Sequence, residues 1–553
     1  SSAATNFTIT APTSTTWNGS SWSNGTPNSS LDAIINGNYA SGTNGSFTTK
    51  SLTLNSGYTL TVNTGSSITI SDAIVNNAGA ANFIVESNAN LIQTNNAVNN
   101  GLITVKRNSA PLYRFDYTLW SSPVSGQNLR NFSPATLTNR FYVYNPASGN
   151  NGNYEAIFPA QNEGTYTFAQ AKGYLIRVPD NYVSYVNSSI SGVSYNGVFV
   201  GVPYNGSFSF PLSNANNGFN LVGNPYPSAI SISGLFSSNS NAIDGTVWFW
   251  RKRNGVAGSG YATTTGLGIT SAQPEVAGMN PNGIISSGQG FFVKVKNGAT
   301  QSSLNFNNSI RSAGTNGVFF RNGNINSDEP EKHRIWLNLS NETDIIGQTL
   351  LGYMAGATEN VDYGIDGKYF NDSPIALTSY IDNSEYAIQG RSLPFSINDV
   401  VPLSFKTNVS GSYSISIDHL DGLFEANQDV FLKDNQTGQI HNLKIAAYNF
   451  VTESGNFTNR FEIVYRAALG METPTINSNS IVVYKKNEML YIDAGNYMME
   501  KIEIYDVSGR LIYSKSEVDD TKTVISNLSV ANQVLLVKIV TSENGTATKK
   551  MVY

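Results

Sequence analysis

Residues 52–70 read Leu52-Thr-Leu-Asn-Ser-Gly-Tyr-Thr-Leu-Thr-Val-Asn-Thr-Gly-Ser-Ser-Ile-Thr-Ile70, and three apolar pairs, Leu52/Leu54, Leu60/Val62 and Ile68/Ile70, recur in it at eight-residue steps. Each pair sits at i and i+2, the spacing that puts both side chains on one face of a strand. Asn-Ser-Gly and Asn-Thr-Gly between the pairs supply the turns. The series then loosens through Ile74, Phe83/Val85, Leu91/Ile92 and Ile103/Val105. A rung this short cannot bury its own face, so the pattern predicts rungs stacked into a right-handed β-solenoid over residues 1–108. A β-sandwich of short hairpins is the alternative. Trp17-Asn-Gly19 and Trp22-Ser-Asn-Gly25 precede the rungs and read as a cap. Trp17 and Trp22 as a sugar-stacking platform is the second reading.

Composition points the same way. The chain has 553 residues, enough for about three to five domains, with 69 Asn, 49 Gly and 29 Tyr but only 13% charged residues. Asn, Gly, Ser and Thr form helices poorly, whereas Thr, Tyr, Phe, Val and Ile suit strands. This excludes a helical bundle, a coiled coil and a doubly wound nucleotide-binding fold. A hydrophobic share of 40% excludes disorder. The net charge of −5 leaves no footprint for nucleic acid. Without cysteine there are no disulfides, thiol nucleophiles or thiolate metal sites. No apolar run is long enough for a transmembrane helix. Ser1-Ser-Ala-Ala4 reads as a mature end left after signal-peptide removal.

Residues 109–320 contain a duplication. The first copy carries Tyr117-Thr-Leu-Trp-Ser-Ser-Pro123, Phe141-Tyr-Val-Tyr-Asn145 and Lys172-Gly-Tyr-Leu-Ile-Arg-Val178. The second carries Phe219-Asn-Leu-Val-Gly-Asn-Pro225, Val247-Trp-Phe-Trp-Arg251 and Gln289-Gly-Phe-Phe-Val-Lys-Val295 in the same order. Two related β units, or one sandwich built from two halves, follow from this, with Trp120, Trp248 and Trp250 as core aromatics; Trp248 and Trp250 as carbohydrate platforms are the second reading. Residues 321–332 are polar, with Gly and Pro, and read as a linker. Residues 333–466 hold at least six alternating segments, from His333-Arg-Ile-Trp-Leu-Asn-Leu339 to Phe461-Glu-Ile-Val-Tyr465, and predict a β-sandwich module. Residues 467–477 form a second linker. Residues 478–553 are richer in charge and give seven short strands around Asp506-Val-Ser-Gly509. The fold class expected is all-β and multidomain: a β-solenoid-like region, β-sandwich modules and a small C-terminal immunoglobulin-like sandwich.

The terminal stretch resembles the C-terminal sorting domain of type IX secretion substrates of Bacteroidota. The resemblance rests on Ile504-Tyr-Asp-Val-Ser-Gly-Arg-Leu-Ile512, the strand region from Leu528 to Ile539, and Lys549-Lys-Met-Val552. Ala531-Asn-Gln-Val534 stands where the common form has Gly-x-Tyr, and is similar to the type C variant. The resemblance marks Tyr505, Asp506, Gly509, Arg510, Lys549 and Lys550 as motif residues. It implies Sec export, passage through the type IX translocon, recognition of residues 478–553 by its outer-membrane shuttle protein, and a final place outside the cell or on its surface. Residues 333–466 are similar to modules that precede such domains, through Tyr363-Gly-Ile-Asp-Gly-Lys-Tyr-Phe370 and Phe431-Leu-Lys-Asp-Asn-Gln-Thr-Gly438. From the physics alone, a small sandwich with exposed edges can take a partner by strand addition. Lys549 and Lys550 then either meet acidic groups of a receptor or keep an edge strand soluble.

Signs of catalysis are few. His333, His419 and His441 are isolated, and no metalloprotease, nucleophile-elbow or phosphate-loop pattern occurs. Carboxylates are scarce before residue 320, which disfavours a paired-acid glycosidase. Asp362, Asp366 and Asp372 cluster near Gly364 and Gly367 as candidate Ca²⁺ ligands, although Asp-Gly pairs also form ordinary turns. No other cofactor is expected. The function expected is that of a non-enzymatic surface or secreted β protein, an adhesin with a link to gliding motility. The alternative is an accessory protein of carbohydrate binding or polysaccharide degradation.

Overall fold

The computed structural model describes residues 11–160, 166–186, 190–251, 258–273, 281–314, 330–466, 481–495, 497–526, 528–542 and 545–553. Residues 321–329 of the first expected linker and all of 467–477 lie outside them. The chain is all-β in its architecture and divides into two compact units, Ser1–Arg466 and Ala467–Tyr553.

The first unit begins with a parallel solenoid of three faces. One face stacks Ser14–Trp17, Asp32–Ile35, Leu52–Leu54 and Ile74–Asn76. The second stacks Tyr39–Ala40, Leu60–Val62, Phe83–Val85 and Ile103–Leu112, and the third Phe47–Thr49, Ser67–Ile70 and Asn90–Gln93. Leu52 pairs with Ile74, Leu60 with Phe83 and Ile68 with Leu91, so a coil closes after 22 or 23 residues. The pairs at eight-residue steps are therefore the three faces of one coil, not three successive rungs. Leu52, Leu54, Leu60, Val62, Ile68 and Ile70 all point inward and are fully buried. Outside, Asn55 donates to Asn36 (2.7 Å), starting a side-chain ladder along one corner. At the first coil Trp17, Trp22, Tyr39 and Phe47 pack with ring centroids 5.1–5.7 Å apart and close the core.

Two antiparallel sheets follow, and they share one order. In the first, Tyr117–Trp120 lies beside Tyr174–Arg177, then Phe141–Asn145, then Asn153–Ile157. In the second, Phe219–Gly223 lies beside Gly290–Val295, then Ile243–Trp250, then Tyr261–Thr264, with Ile269–Thr270 added at the edge. The last strand of each motif has moved in beside the first. The two copies also exchange contacts reciprocally: Trp120 bridges to Gln289, and Val222 bridges to Lys172. Ser121 N–H donates to the Gly288 carbonyl (3.0 Å) as Gly223 N–H donates to that of Ala171 (2.9 Å). Glycine is required at this crossing, because a Cβ on Gly223 would lie 2.1 Å from that of Ser121. Leu119, Leu175, Phe219, Leu221, Trp248 and Phe292 fill the layer beside it.

Residues 332–464 build an 11-stranded sheet, running from Gln439–Asn442 at one edge through Ile345–Met354 to Tyr448–Thr452 at the other. It folds over one core, which brings Phe405 to 5.5 Å from Tyr413 and 5.3 Å from Phe450. Its reverse face is apolar too. Trp336, Leu350 and Ile388 pack on Leu267 of the second repeat, and the Trp336 indole donates to the Ile269 carbonyl (2.8 Å). Alternation in Lys332–Ser340 thus serves two cores rather than one core and solvent. Solenoid and second repeat are joined at buried Arg311, which donates to Ser228 (3.1 Å), Asn205 (3.1 Å) and the Leu91 carbonyl, over the ring of Tyr226.

The second unit is a two-sheet sandwich. Val482–Lys486, Met489–Asp493 and Lys522–Ile525 form one sheet; Leu511–Asp520, Met499–Asp506, Val534–Thr541 and Thr546–Val552 form the other. Leu490, Ile492, Ile502, Ile504, Leu535, Val537 and Ile539 alternate inward and form the core.

Candidate functional site

The motif Asp506-Val-Ser-Gly-Arg510 is a hairpin tip held together by one carboxylate. Asp506 Oδ1 accepts from the Ser508 N–H (2.9 Å), the Ser508 hydroxyl (2.5 Å) and the Arg510 N–H (3.0 Å), and Oδ2 accepts from Arg510 Nε (3.0 Å). These donors favour the ionised form, and the Asp506 carboxyl is held down to about 2. Gly509 takes φ +84°, where a side chain would be strained. What the motif projects outward is Val507, 71% exposed, and the Arg510 side chain. Tyr505 faces the outer sheet surface, donating to Glu503 (2.9 Å), which also holds Lys501 (2.6 Å) and Lys538 (3.4 Å).

Lys549 and Lys550 lie within the edge strand Thr546–Val552. Lys550 is exposed and shares the outer face with Val552. Lys549 alternates with Ala547 and Met551 and pairs in register with core residue Val537, so it stands on the inward side of an open edge. An inward charge at a sheet edge blocks unselective pairing with other strands. Tyr553 escaped notice in the sequence: it is buried, and its hydroxyl donates to the carbonyls of Glu488 (3.1 Å) and Leu528 (3.3 Å). Its place two residues after Met551, in step with the inward alternation, is the signal that marks it.

The tryptophans are engaged internally. Trp248 is fully buried, edge-on to Phe219 and bonded through Nε1 to the Lys368 carbonyl (3.0 Å), so it offers no face to a sugar. Trp17 is also buried and donates to the Asn38 carbonyl (3.1 Å). Trp22 is half-buried in the cap and Trp250 half-buried against Tyr261. These four do not form one platform: Trp17 and Trp22 close the solenoid, whereas Trp248 and Trp250 belong to the second repeat.

The three aspartates do not converge. Asp362 accepts from the Thr358 N–H and hydroxyl, Asp366 from the N–H groups of Asp362 and Gly390 (both 2.6 Å), and Asp372 from Ser259 (2.8 Å) and Gly260 N–H (2.6 Å). They fasten residues 362–372 between the second repeat and the large sheet, and their oxygens are spent on protein donors. Among the described residues no group of three or more metal-ligating side chains is placed to hold an ion. Burial raises Asp366 to about 7. The histidines are likewise scattered: His333 on Glu331 (3.0 Å), His419 stacked on Trp336 (3.8 Å), His441 on the Ala446 carbonyl (2.8 Å). A cavity beside Tyr261, Tyr369 and Phe370 measures about 20 Å³, room for one water. Among the described residues no helix is long and apolar enough to cross a membrane.

Fold and site together define a multi-module β protein with a separate C-terminal sandwich. Residues 8–465 match the domain of unknown function DUF8693, and the chain belongs to that family. Residues 469–553 match a second domain of unknown function, DUF8694, which begins where the two compact units divide. No curated protein matches the chain. Among solved structures it is similar to a DUF3244 family protein with an immunoglobulin-like β-sandwich fold from Bacteroides vulgatus, at 20% identity over 13% of this chain and 84% of that one, with a TM-score of 0.12. It is also similar to the 47-kilodalton lipoprotein Tp47 of Treponema pallidum, at 11% identity over 38% of this chain and 66% of that one, with a TM-score of 0.15.

Proposed function

We propose that the chain is a surface or secreted substrate of the type IX secretion route, exported through its C-terminal sandwich, and that Ser1–Arg466 acts outside the cell as a non-enzymatic adhesin. The observation that carries this reading is the Asp506–Arg510 hairpin. Its backbone is self-satisfied, so the motif needs no partner to fold and exposes Val507 and the Arg510 side chain, itself paired through Nε with Asp506, to a receptor. That it sits in a unit compact on its own suits an address label joined to varied cargo. The first unit supports the adhesive role: a solenoid, two repeats and a large sheet packed on one another make a broad, stiff surface. A link to gliding motility is part of the same proposal. The test is expression in a flavobacterium with type IX secretion, comparing the full chain with one lacking residues 478–553, and with residues 467–553 grafted onto a fluorescent carrier. Truncation should trap the protein in the periplasm and the graft should export its carrier. A truncated chain that still reaches the surface would remove the export reading.

A further inference from the structure

One amine of the large sheet touches both groups that an amide-forming reaction needs. Lys406 lies in the strand Val400–Thr407 next to core residue Phe405, so its side chain leaves the opposite face. There Nζ donates to Asn371 Oδ1 and to Glu385 Oε2 (3.0 Å), 4.7 Å from the centroid of the Tyr369 ring. The tyrosine is buried, the lysine and glutamate side chains are 16% and 22% exposed, and Asn371 stands on the solvent side. Amine, carboxamide and carboxylate thus share one spot, although Asn371 and Glu385 lie 35 and 21 residues from Lys406 in the chain.

The surroundings hold the three groups in place. Glu385 accepts from the Ser404 hydroxyl at Oε1 (3.1 Å), and its carbonyl accepts from the Tyr369 N–H (2.9 Å). The loop of Asn371 is fastened on one side by the Tyr369 hydroxyl, which accepts from the Ser373 N–H (3.2 Å), and on the other by Asp372 on Ser259 and Gly260. Asn371 itself takes φ +59°, a left-handed conformation that asparagine adopts more readily than most residues. An ion pair needs only Lys406 and Glu385. The asparagine adds an electrophilic carbon one C=O bond, about 1.2 Å, beyond the oxygen that the amine already touches.

We propose that Lys406 and Asn371 become joined by an intramolecular amide bond once the chain has folded, with Glu385 as the proton acceptor. Glu385 takes a proton from the Lys406 ammonium, and the freed amine attacks Asn371 Cγ. The Nζ–Cγ bond forms and the Cγ–Nδ2 bond breaks. The departing nitrogen leaves as ammonium, carrying the proton that Glu385 returns and a second one from Nζ. Fixed juxtaposition supplies the effective concentration that lets so weak an electrophile react. In a chain without cysteine, this bond gives the large sheet the kind of covalent tie that a disulfide gives elsewhere. The assignment is independent of the export and adhesive readings. Intact-mass spectrometry and peptide mapping of the purified full chain test it. The folded chain should weigh one ammonia less than its sequence, and trypsin should release 369–391 and 392–433 as one branched species, uncut after Lys406. Lys406→Arg should restore the sequence mass, as should Asn371→Gly, which keeps a residue suited to φ +59°. Glu385→Gln retains both reacting groups and should leave the chain largely unlinked. A wild-type chain without the branched peptide would overturn the proposal. So would full linkage in Glu385→Gln, or an ammonia loss that persists in Lys406→Arg, as ring closure at Asn-Gly sites would produce.

Discussion

Replacing Asp244 by asparagine tests the junction between the second repeat and the large sheet. Asp244 is buried in the strand Ile243–Trp250, its Oδ1 accepts from the Thr246 N–H (3.2 Å), and its carbonyl accepts from Gly364 N–H (2.8 Å). Burial outweighs the fields of Lys294 and Lys368 and raises the carboxyl from 3.8 to about 7. An acid raised in the folded state holds its proton there while the unfolded chain has lost it. Its contribution is therefore full below about pH 4 and falls away until the pH passes about 7. Between 3.8 and about 7, at about 1.36 kcal/mol per pH unit, about 4 kcal/mol is lost across that window. An asparagine amide in its place would keep the acceptor for Thr246 and stay neutral at every pH. The Asp244→Asn variant should match wild type near pH 4 and exceed it by up to about 4 kcal/mol at pH 8. Urea unfolding followed by tryptophan fluorescence reads this cleanly, since all six tryptophans lie between Trp17 and Trp336, in the first unit. A variant whose advantage is the same at pH 4 and pH 8 would refute the reasoning, because paired acids elsewhere cancel in the comparison.

Within the solenoid, Leu60→Ala should cost about 2–5 kcal/mol and Thr61→Ala, on the outer face, under about 0.5 kcal/mol, measured by the same unfolding curves. Gly223→Ala forces a Cβ onto that of Ser121 and should destabilise by about 1–3 kcal/mol, seen as a lowered thermal midpoint. Asp506→Ala should open the hairpin and speed tryptic cleavage after Arg510. With that carboxyl held down to about 2, the wild-type hairpin should persist on acidification until the pH falls through that value, which chemical shifts of residues 506–510 would follow.

Much of this architecture is written in short-range signals. Pairs such as Leu60/Val62 announce strands and their inward face, and the Pro-terminated and Gly-led segments announce a duplication. The three-faced coil is not legible from them, because the i, i+2 code is identical on every face and the parallel partner lies 22 or 23 residues away. Trp336 shows the same limit: its alternation fixes a side, but only contact with Leu267 shows that both sides are buried. The terminal hairpin was readable because its donors and acceptor fall within five residues. The aspartates near Gly364 misled for the opposite reason, since Asp366 and Asp372 are satisfied by Gly390, Ser259 and Gly260, distant in sequence.

The reciprocal bridges between the repeats have an ancestral meaning. Trp120 meets Gln289 as Val222 meets Lys172, which is how two copies of a single repeat would dock as an isologous dimer. Joining the copies in one chain replaces concentration-dependent association by an effective concentration on the order of millimolar. The fusion also frees the two halves to diverge. One could drift toward a scaffold sealed against the large sheet while the other kept an outer face that a symmetric pair would have been obliged to duplicate.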